Sequence, residues 1–263
     1  MKTNKHKIVI IGAGNVATQL GLALKKSKQT ILQVYSKHQA SSNNLAKLLK
    51  CEYTNAPGKI NITADIYIIA VNDDAISTVV KQLKLNNKIV VHTSGSVEME
   101  LLKSASKNYG VFYPLQTFSK NNKTNFETIP ICIEASNKAT LTTLLLLAKS
   151  ISSNVQKINS EQRKVIHLAA VFACNFSNHL YTIASTILTS TNLSLNILKP
   201  LIEETANKIK NNSPAEMQTG PAMRDDKKTM DKHLKMLSDK KEYQKLYKLM
   251  SKSIKDSNKE KKQ

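Results

Sequence analysis

Arginine and tryptophan are what this chain most lacks. Only Arg163 and Arg224 occur among 39 basic residues, and there is no tryptophan. Nucleic-acid binders usually interleave arginines with aromatics or carry a recognised motif, and neither pattern is present. Specific nucleic-acid binding is therefore not expected, despite a formal net charge of +20. The charge is dispersed lysine, densest from Lys240 to Lys262, and abundant Lys, Asn and Ser with scarce Arg and Gly matches the bias of an AT-rich genome. Such a charge would still draw small anionic substrates by long-range attraction.

Long apolar runs are missing too. No segment is long enough to span a bilayer, and the N-terminus runs into a strand, so neither membrane contact nor a signal peptide is expected. The three cysteines, Cys51, Cys132 and Cys174, are odd in number and widely spaced. They read as reduced core thiols of a cytoplasmic protein, not as disulfides or metal ligands. A length of 263 residues allows one large domain or two modest ones.

What is there begins at once. Lys7-Ile8-Val9-Ile10-Ile11 runs into Gly12-Ala13-Gly14-Asn15-Val16-Ala17 and then Gln19-Leu20-Gly21-Leu22-Ala23-Leu24. Apolar strand, Gly-x-Gly-x-x-Ala turn and amphipathic helix form a dinucleotide-binding fingerprint. Gly12 allows the tight turn, Gly14 lets a pyrophosphate lie against the backbone, and Ala17 lets the helix approach the strand. Amides of Asn15 and Val16 at the helix start then point at the phosphates. An NAD-binding chain places a carboxylate about 20 residues later, on the ribose hydroxyls. Here the second strand, 30–35, ends in Ser36-Lys37-His38, and no carboxylate lies between Gly12 and Cys51. A hydroxyl beside cations suits the 2′-phosphate of NADP, so NADPH is the expected cofactor, with Ser36 and Lys37 as its contacts. The plainer reading of Lys37 is one more lysine in a lysine-rich chain.

Strand and helix patterns alternate beyond this point. Strands are expected at 64–71, 88–92, 109–113, 129–133 and 154–157, with helices at 42–50, 75–83, 97–107 and 138–152. Near-continuous apolar strands separated by helices predict an α/β Rossmann-like doubly wound parallel sheet. From about Ser160, read as a capping residue, only helix follows, which predicts an all-α C-terminal domain. The expected domains are 1–158, NADP-binding, and 159–263, helical, for substrate and dimerisation. Helices are expected at 160–190 and 196–211. After Asn212-Ser213-Pro214 and Thr219-Gly220-Pro221, two amphipathic helices carry Met230, Leu234 and Leu237, then Tyr243, Leu246, Tyr247, Met250 and Ile254. The tail from Lys255 reads as frayed.

In a doubly wound sheet the ligand lies across the carboxyl ends of the strands. Val71-Asn72-Asp73-Asp74 should run beside the cofactor's ribose and phosphates, although Asp73 or Asp74 could simply cap a helix from Ala75. His92-Thr93-Ser94-Gly95-Ser96 should approach the nicotinamide, and Tyr113 to Ser119 forms a third loop. In the helical half, steps of about 100° per residue put Arg163, Cys174 and Asn178 within about 40° of His167. Asn175 lies about 80° round. A histidine, two asparagines and an arginine inside an apolar run need polar partners, which suggests a cleft. Arg224 is a candidate to grip a substrate carboxylate, or else a salt-bridge partner of Asp225 or Asp226.

These motifs together resemble bacterial NADP-dependent oxidoreductases that join a Rossmann-like domain to a helical C-terminal domain of uncharacterised function. The chain looks like a member of the wider group of pyrroline-5-carboxylate reductase, ketopantoate reductase and the β-hydroxyacid dehydrogenases. The resemblance is carried by the glycine turn, His92–Ser96, Phe112–Phe118, His167–Phe176 and Thr219–Asp226. It implies a 6-phosphogluconate dehydrogenase-like C-terminal domain and a homodimer formed through it, which the last two apolar stripes would suit. It also implies reduction of a small anionic carbonyl or imine, with a 2-oxo acid such as ketopantoate as the named candidate. Relatives use a lysine four residues before an asparagine on the long helix, and here Val171 stands at that spacing from Asn175. His167 is the best replacement as proton donor and Lys164 the second. Asn175 would orient the carbonyl, Ser94 and Ser96 would line the nicotinamide pocket, and Asn178 and Arg224 would hold substrate. Without the family lysine, a non-catalytic NADP-binding sensor or scaffold is the alternative.

Overall fold

The computed structural model describes residues 5–120 and 124–260. Its first part comprises β1 (Lys7–Ile11), α1 (Asn15–Lys26), β2 (Thr30–Tyr35), α2 (Gln39–Leu49), β3 (Glu52–Thr54), β4 (Ile66–Ile69), α3 (Asp73–Lys81), β5 (Asn86–His92), β6 (Ser106–Pro114), β7 (Ile131–Ala135), α4 (Lys138–Lys149) and β8 (Val155–Lys157). The strands form one eight-stranded sheet in the order β3-β2-β1-β4-β5-β6-β7-β8. Successive residues of β1 serve opposite faces. Ile8 and Ile10 pack with Leu20, Leu45 and Leu144 from α1, α2 and α4, whereas Val9 and Ile11 pack with Ile76 and Val80 from α3. Each leucine buried in this way contributes roughly 1.5–3 kcal/mol.

Two features depart from the expected pattern of parallel strands and helices. β7 runs antiparallel to β6, pairing Tyr113 with Cys132, while β8 is again parallel to β7. A parallel return needs a helical crossover. Between β6 and β7 the described chain has only a short 3-10 turn, Phe126–Thr128. The helix expected at 97–107 is likewise only a 3-10 turn, Met99–Ser104, because Ser106 already belongs to β6 and donates to the carbonyls of Asn86 and Lys88. β3 escaped notice since three residues are too few to show a period.

Beyond the sheet come α5 (Ser160–Ala170), a π-helical turn (Val171–Phe176), α6 (Ser177–Thr189), α7 (Lys199–Lys208), α8 (Lys227–Met236) and α9 (Lys241–Glu260). Asn159, not Ser160, caps α5: its side chain accepts from the Gln162 amide at 2.8 Å, and Gln162 accepts from the Asn159 amide. The chain packs as two compact units, 1–174 and 175–263. The strands end at Lys157, near the expected boundary, yet α5 belongs to the first unit because Arg163 ties it to the sheet. In the second unit the stripes of α8 and α9 face inward. Leu237, Leu246 and Met250 line an apolar cavity of about 290 Å³ with Leu180 and Ile183 of α6. The tail expected to fray is helical to Glu260, with Lys255 paired to Asp225; residues 261–263 lie outside the described residues.

Candidate active site

The sheet order reverses between β1 and β4, so a crevice opens at the carboxyl ends of those strands. Gly12 sits there with φ +120°, and a Cβ on it would lie 2.1 Å from the Ala70 carbonyl oxygen. Only glycine lets the end of β1 pass the end of β4. Gly14 is different: a Cβ there would meet nothing within 4 Å, so the turn borders open space. The first turn of α1 carries no acidic residue and no side-chain cap, leaving its amides available to an anion. Asn15 is exposed but engaged, donating from Nδ2 to the Phe118 carbonyl at 2.9 Å, while Gln19 holds the Ser119 carbonyl. The loop after β6 is thereby laid along α1. Val16 is half-buried, and Ala17 is wholly buried in the core, as close helix packing requires.

At the end of β2, the Ser36 amide donates to the Thr54 carbonyl at 3.2 Å, with Ser36 half-buried and Lys37 exposed. His38 is the N-cap residue of α2, whose first turn again has neither acid nor side-chain cap. Serine, lysine and an uncapped helix start thus share one edge, which fits a phosphate and offers no carboxylate for ribose hydroxyls.

The loops after β4 and β5 meet. Val71 is half-buried and Asn72 exposed, and Asn72, not Asp73, precedes the first turn of α3. Asp73 instead accepts a short hydrogen bond from the Ser96 hydroxyl. His92 is wholly buried, and its Nδ1 accepts from the Ser94 amide at 3.2 Å, which braces the loop. Burial, then the nearby Arg163 charge, lowers its pKa to about 4, so it is neutral at neutral pH. Ser94 braces the same loop. It is 6% exposed, and its hydroxyl accepts from the amides of Ser96 and Val97 at 3.1 Å. Ser96 remains exposed.

His167 lies directly on this loop. A Cβ at Gly95 would come within 2.7 Å of its Cγ and Nδ1, so the ring reaches its place only because residue 95 is glycine. Its Nδ1 is 3.1 Å from the hydroxyl of Tyr113, with the rings edge to face. Burial, then Cys132 on the adjacent strand, pushes the Tyr113 phenol up to about 12. One turn back, Arg163 is 0% exposed; it donates to the Ser94 carbonyl at 3.1 Å, to Ser160 at 2.9 Å and to Glu134 at 3.3 Å. It is therefore a strut between α5, β7 and the Ser94 loop, not a cleft residue. Lys164, the second candidate acid, is spent on ion pairs with Glu98 and Glu161.

The stripe drawn from His167 to Cys174 and Asn178 also needs correction. Steps of 100° assume α-helix, and the π turn at Val171–Phe176 bonds i to i+5, so the phase is lost after Ala170. Cys174 is exposed and Cys51 half-buried, so only Cys132 is the core thiol expected of all three. Asn175, Asn178 and Arg224 belong to the second unit, and all three are exposed. Asp226, read as a salt-bridge partner for Arg224, caps α8 through Thr229. Among the described residues no His, Cys, Asp and Glu cluster could hold a metal, and no helix is long and apolar enough to cross a membrane.

Models of a Rossmann-like domain and of a domain of unknown function (DUF2520) match residues 1–116 and 129–254. A putative NADP oxidoreductase from Bacteroides fragilis is 41% identical over 96% of this chain and 98% of its own, with a TM-score of 0.93. The chain belongs to this oxidoreductase family. The fold alone is shared with 1-pyrroline-5-carboxylate reductase from Streptococcus pyogenes, at 15% identity over 96% of this chain and 99% of that one, TM-score 0.63. It is shared too with an imine reductase from Myxococcus stipitatus solved with NADP+, at 15% identity over 96% and 94%, TM-score 0.66. No curated protein matches the chain.

In this oxidoreductase the neighbours of His167 that sequence reasoning did not link to it are Tyr113 and Gly95. Tyr113 stood in a loop already singled out, but nothing in the chain linked it to a histidine 54 positions away.

Proposed function

We propose that the protein is an NADPH-dependent reductase of a small anionic carbonyl or imine compound, with a 2-oxo acid such as ketopantoate as the first substrate to try. The observation that carries this reading is His167, seated on the Gly95 loop with Tyr113 on its Nδ1, at the sheet edge that also bears the open glycine turn. Gly14 and the amides of Asn15 to Ala17 would hold the pyrophosphate, Ser36 and Lys37 the 2′-phosphate, and Val71, Asn72 and Asp73 the ribose side. Bound NADPH supplies a hydride. His167 donates a proton to the oxyanion or amine that develops as the substrate is reduced, and Ser96 offers a hydroxyl nearby. The working form is a homodimer.

Calorimetric titration with NADPH and NADH, followed by NADPH-oxidation assays on 2-oxo acids and cyclic imines, tests the reading. NADPH should bind tighter, and Lys37→Ala should shrink its advantage by about tenfold. His167→Ala should cut turnover by roughly 100-fold or more while cofactor affinity holds. Binding of neither nucleotide overturns the proposal.

A further inference from the structure

We propose that Tyr113 is the positioning residue of His167, its hydroxyl donating to Nδ1 so that Nε2 is left to carry the proton exchanged with substrate. The inference rests on the reductase reading of His167 and adds what sets that ring's orientation and tautomer.

Three restraints converge on one imidazole. Arg163, on the same helix, fixes the backbone of α5 through the Ser94 carbonyl and Glu134. Gly95 receives one edge of the ring, since its missing Cβ is the space that Cγ and Nδ1 crowd to within 2.7 Å. Tyr113 takes Nδ1 at 3.1 Å. The phenol is itself rigidly placed, one residue from the end of β6 and opposite Cys132 of β7 in an antiparallel ladder. A phenol whose pKa burial raises to about 12 keeps its proton across the neutral range and so remains a donor. In a neutral imidazole the nitrogen that accepts is unprotonated and the other carries the hydrogen. Preorganising a reactive ring in this way removes motions that would otherwise be frozen during the reaction.

The test is nitrogen-15 NMR of the full-length protein without ligand, at a pH where His167 is neutral, with His167→Gln used to assign its signals. The natural chain should show Nδ1 unprotonated and Nε2 protonated. In Tyr113→Phe the two signals should move toward the average of exchanging tautomers, and kcat should fall about 10- to 100-fold with NADPH affinity unchanged. Gly95→Ala, which pushes the ring from its seat, should produce the same spectral change and serves if Tyr113→Phe does not fold. A His167 tautomer unaltered in Tyr113→Phe, or Nδ1 protonated in the natural chain, overturns the proposal. Should the tautomer shift as expected while His167→Gln still turns over normally, the pairing stands and the assignment of His167 as proton donor fails.

Discussion

The two compact units treat their apolar residues in opposite ways. In residues 1–174 both sheet faces are covered, and Ile8, Ile11, Leu24, Tyr67 and Phe112 are at or near zero exposure. Among the described residues of 175–263, Ala222 and Met230 are the buried apolar side chains, while Ile197, Leu201, Met236 and Leu249 are 62–75% exposed. A sheet flanked by helices closes its own core, whereas the helices of the second unit leave these apolar side chains on their surface. The lesson is about function too. The first unit holds His167, Tyr113, Ser96 and the glycine turn, all placed by the sheet and by α5 docked on it.

The sharpest way to break the contrast is to remove the strut. Arg163→Ala leaves the carboxylate of Glu134 without its cation and should cost about 3–5 kcal/mol in urea unfolding of the first unit. A loss below about 1 kcal/mol would mean that α5 is not locked to the sheet. Next in size, Leu20→Ala should cost about 2–5 kcal/mol by opening a cavity in the covered face. Met236→Ala, on an exposed site of the second unit, should change stability by under about 0.5 kcal/mol.

Acid should discriminate the units as well. His92 titrates at about 4 when folded against 6.5 as the ordinary value, so between those values the unfolded chain binds the extra proton. The stability is complete above pH 6.5 and declines as pH falls toward 4, by up to about 3 kcal/mol at 1.36 kcal/mol per unit. His92→Asn should flatten that slope, as read from unfolding midpoints at several pH values. The smallest expected effect on fold stability is that of Ile197→Ser with Leu201→Ser, which should leave the chain folded while converting a dimer to a monomer in light scattering. A natural chain already monomeric at micromolar concentration would remove the dimer from the proposed function.

The chain's local order was open to reading because apolar strands, a glycine turn and amphipathic helices each carry a period within a few residues. The fingerprint at Gly12 to Ala17, the parallel strands and the helical second half all follow from such patterns. The reversal at β7 was hidden, since strand direction depends on what the connection lacks. His167 stood out as a polar residue in an apolar run, but Arg163, in the same run, turned out to be a buried strut. Periodicity reports that a polar side chain lies on a given face; it does not report what meets it there.

By itself, then, the sequence determined the nucleotide turn, the lack of an acid at the end of β2, the fold class and the presence of one unusual histidine. Those are properties of neighbouring residues and of backbone conformations available to glycine. Tertiary structure alone decided that Ser94 and His92 are braces, that the π turn ends the phase of the His167 stripe, and that Tyr113 holds His167 across a separation of 54 residues. Such contacts join distant segments, and only closure of the sheet and docking of α5 bring them within hydrogen-bonding range.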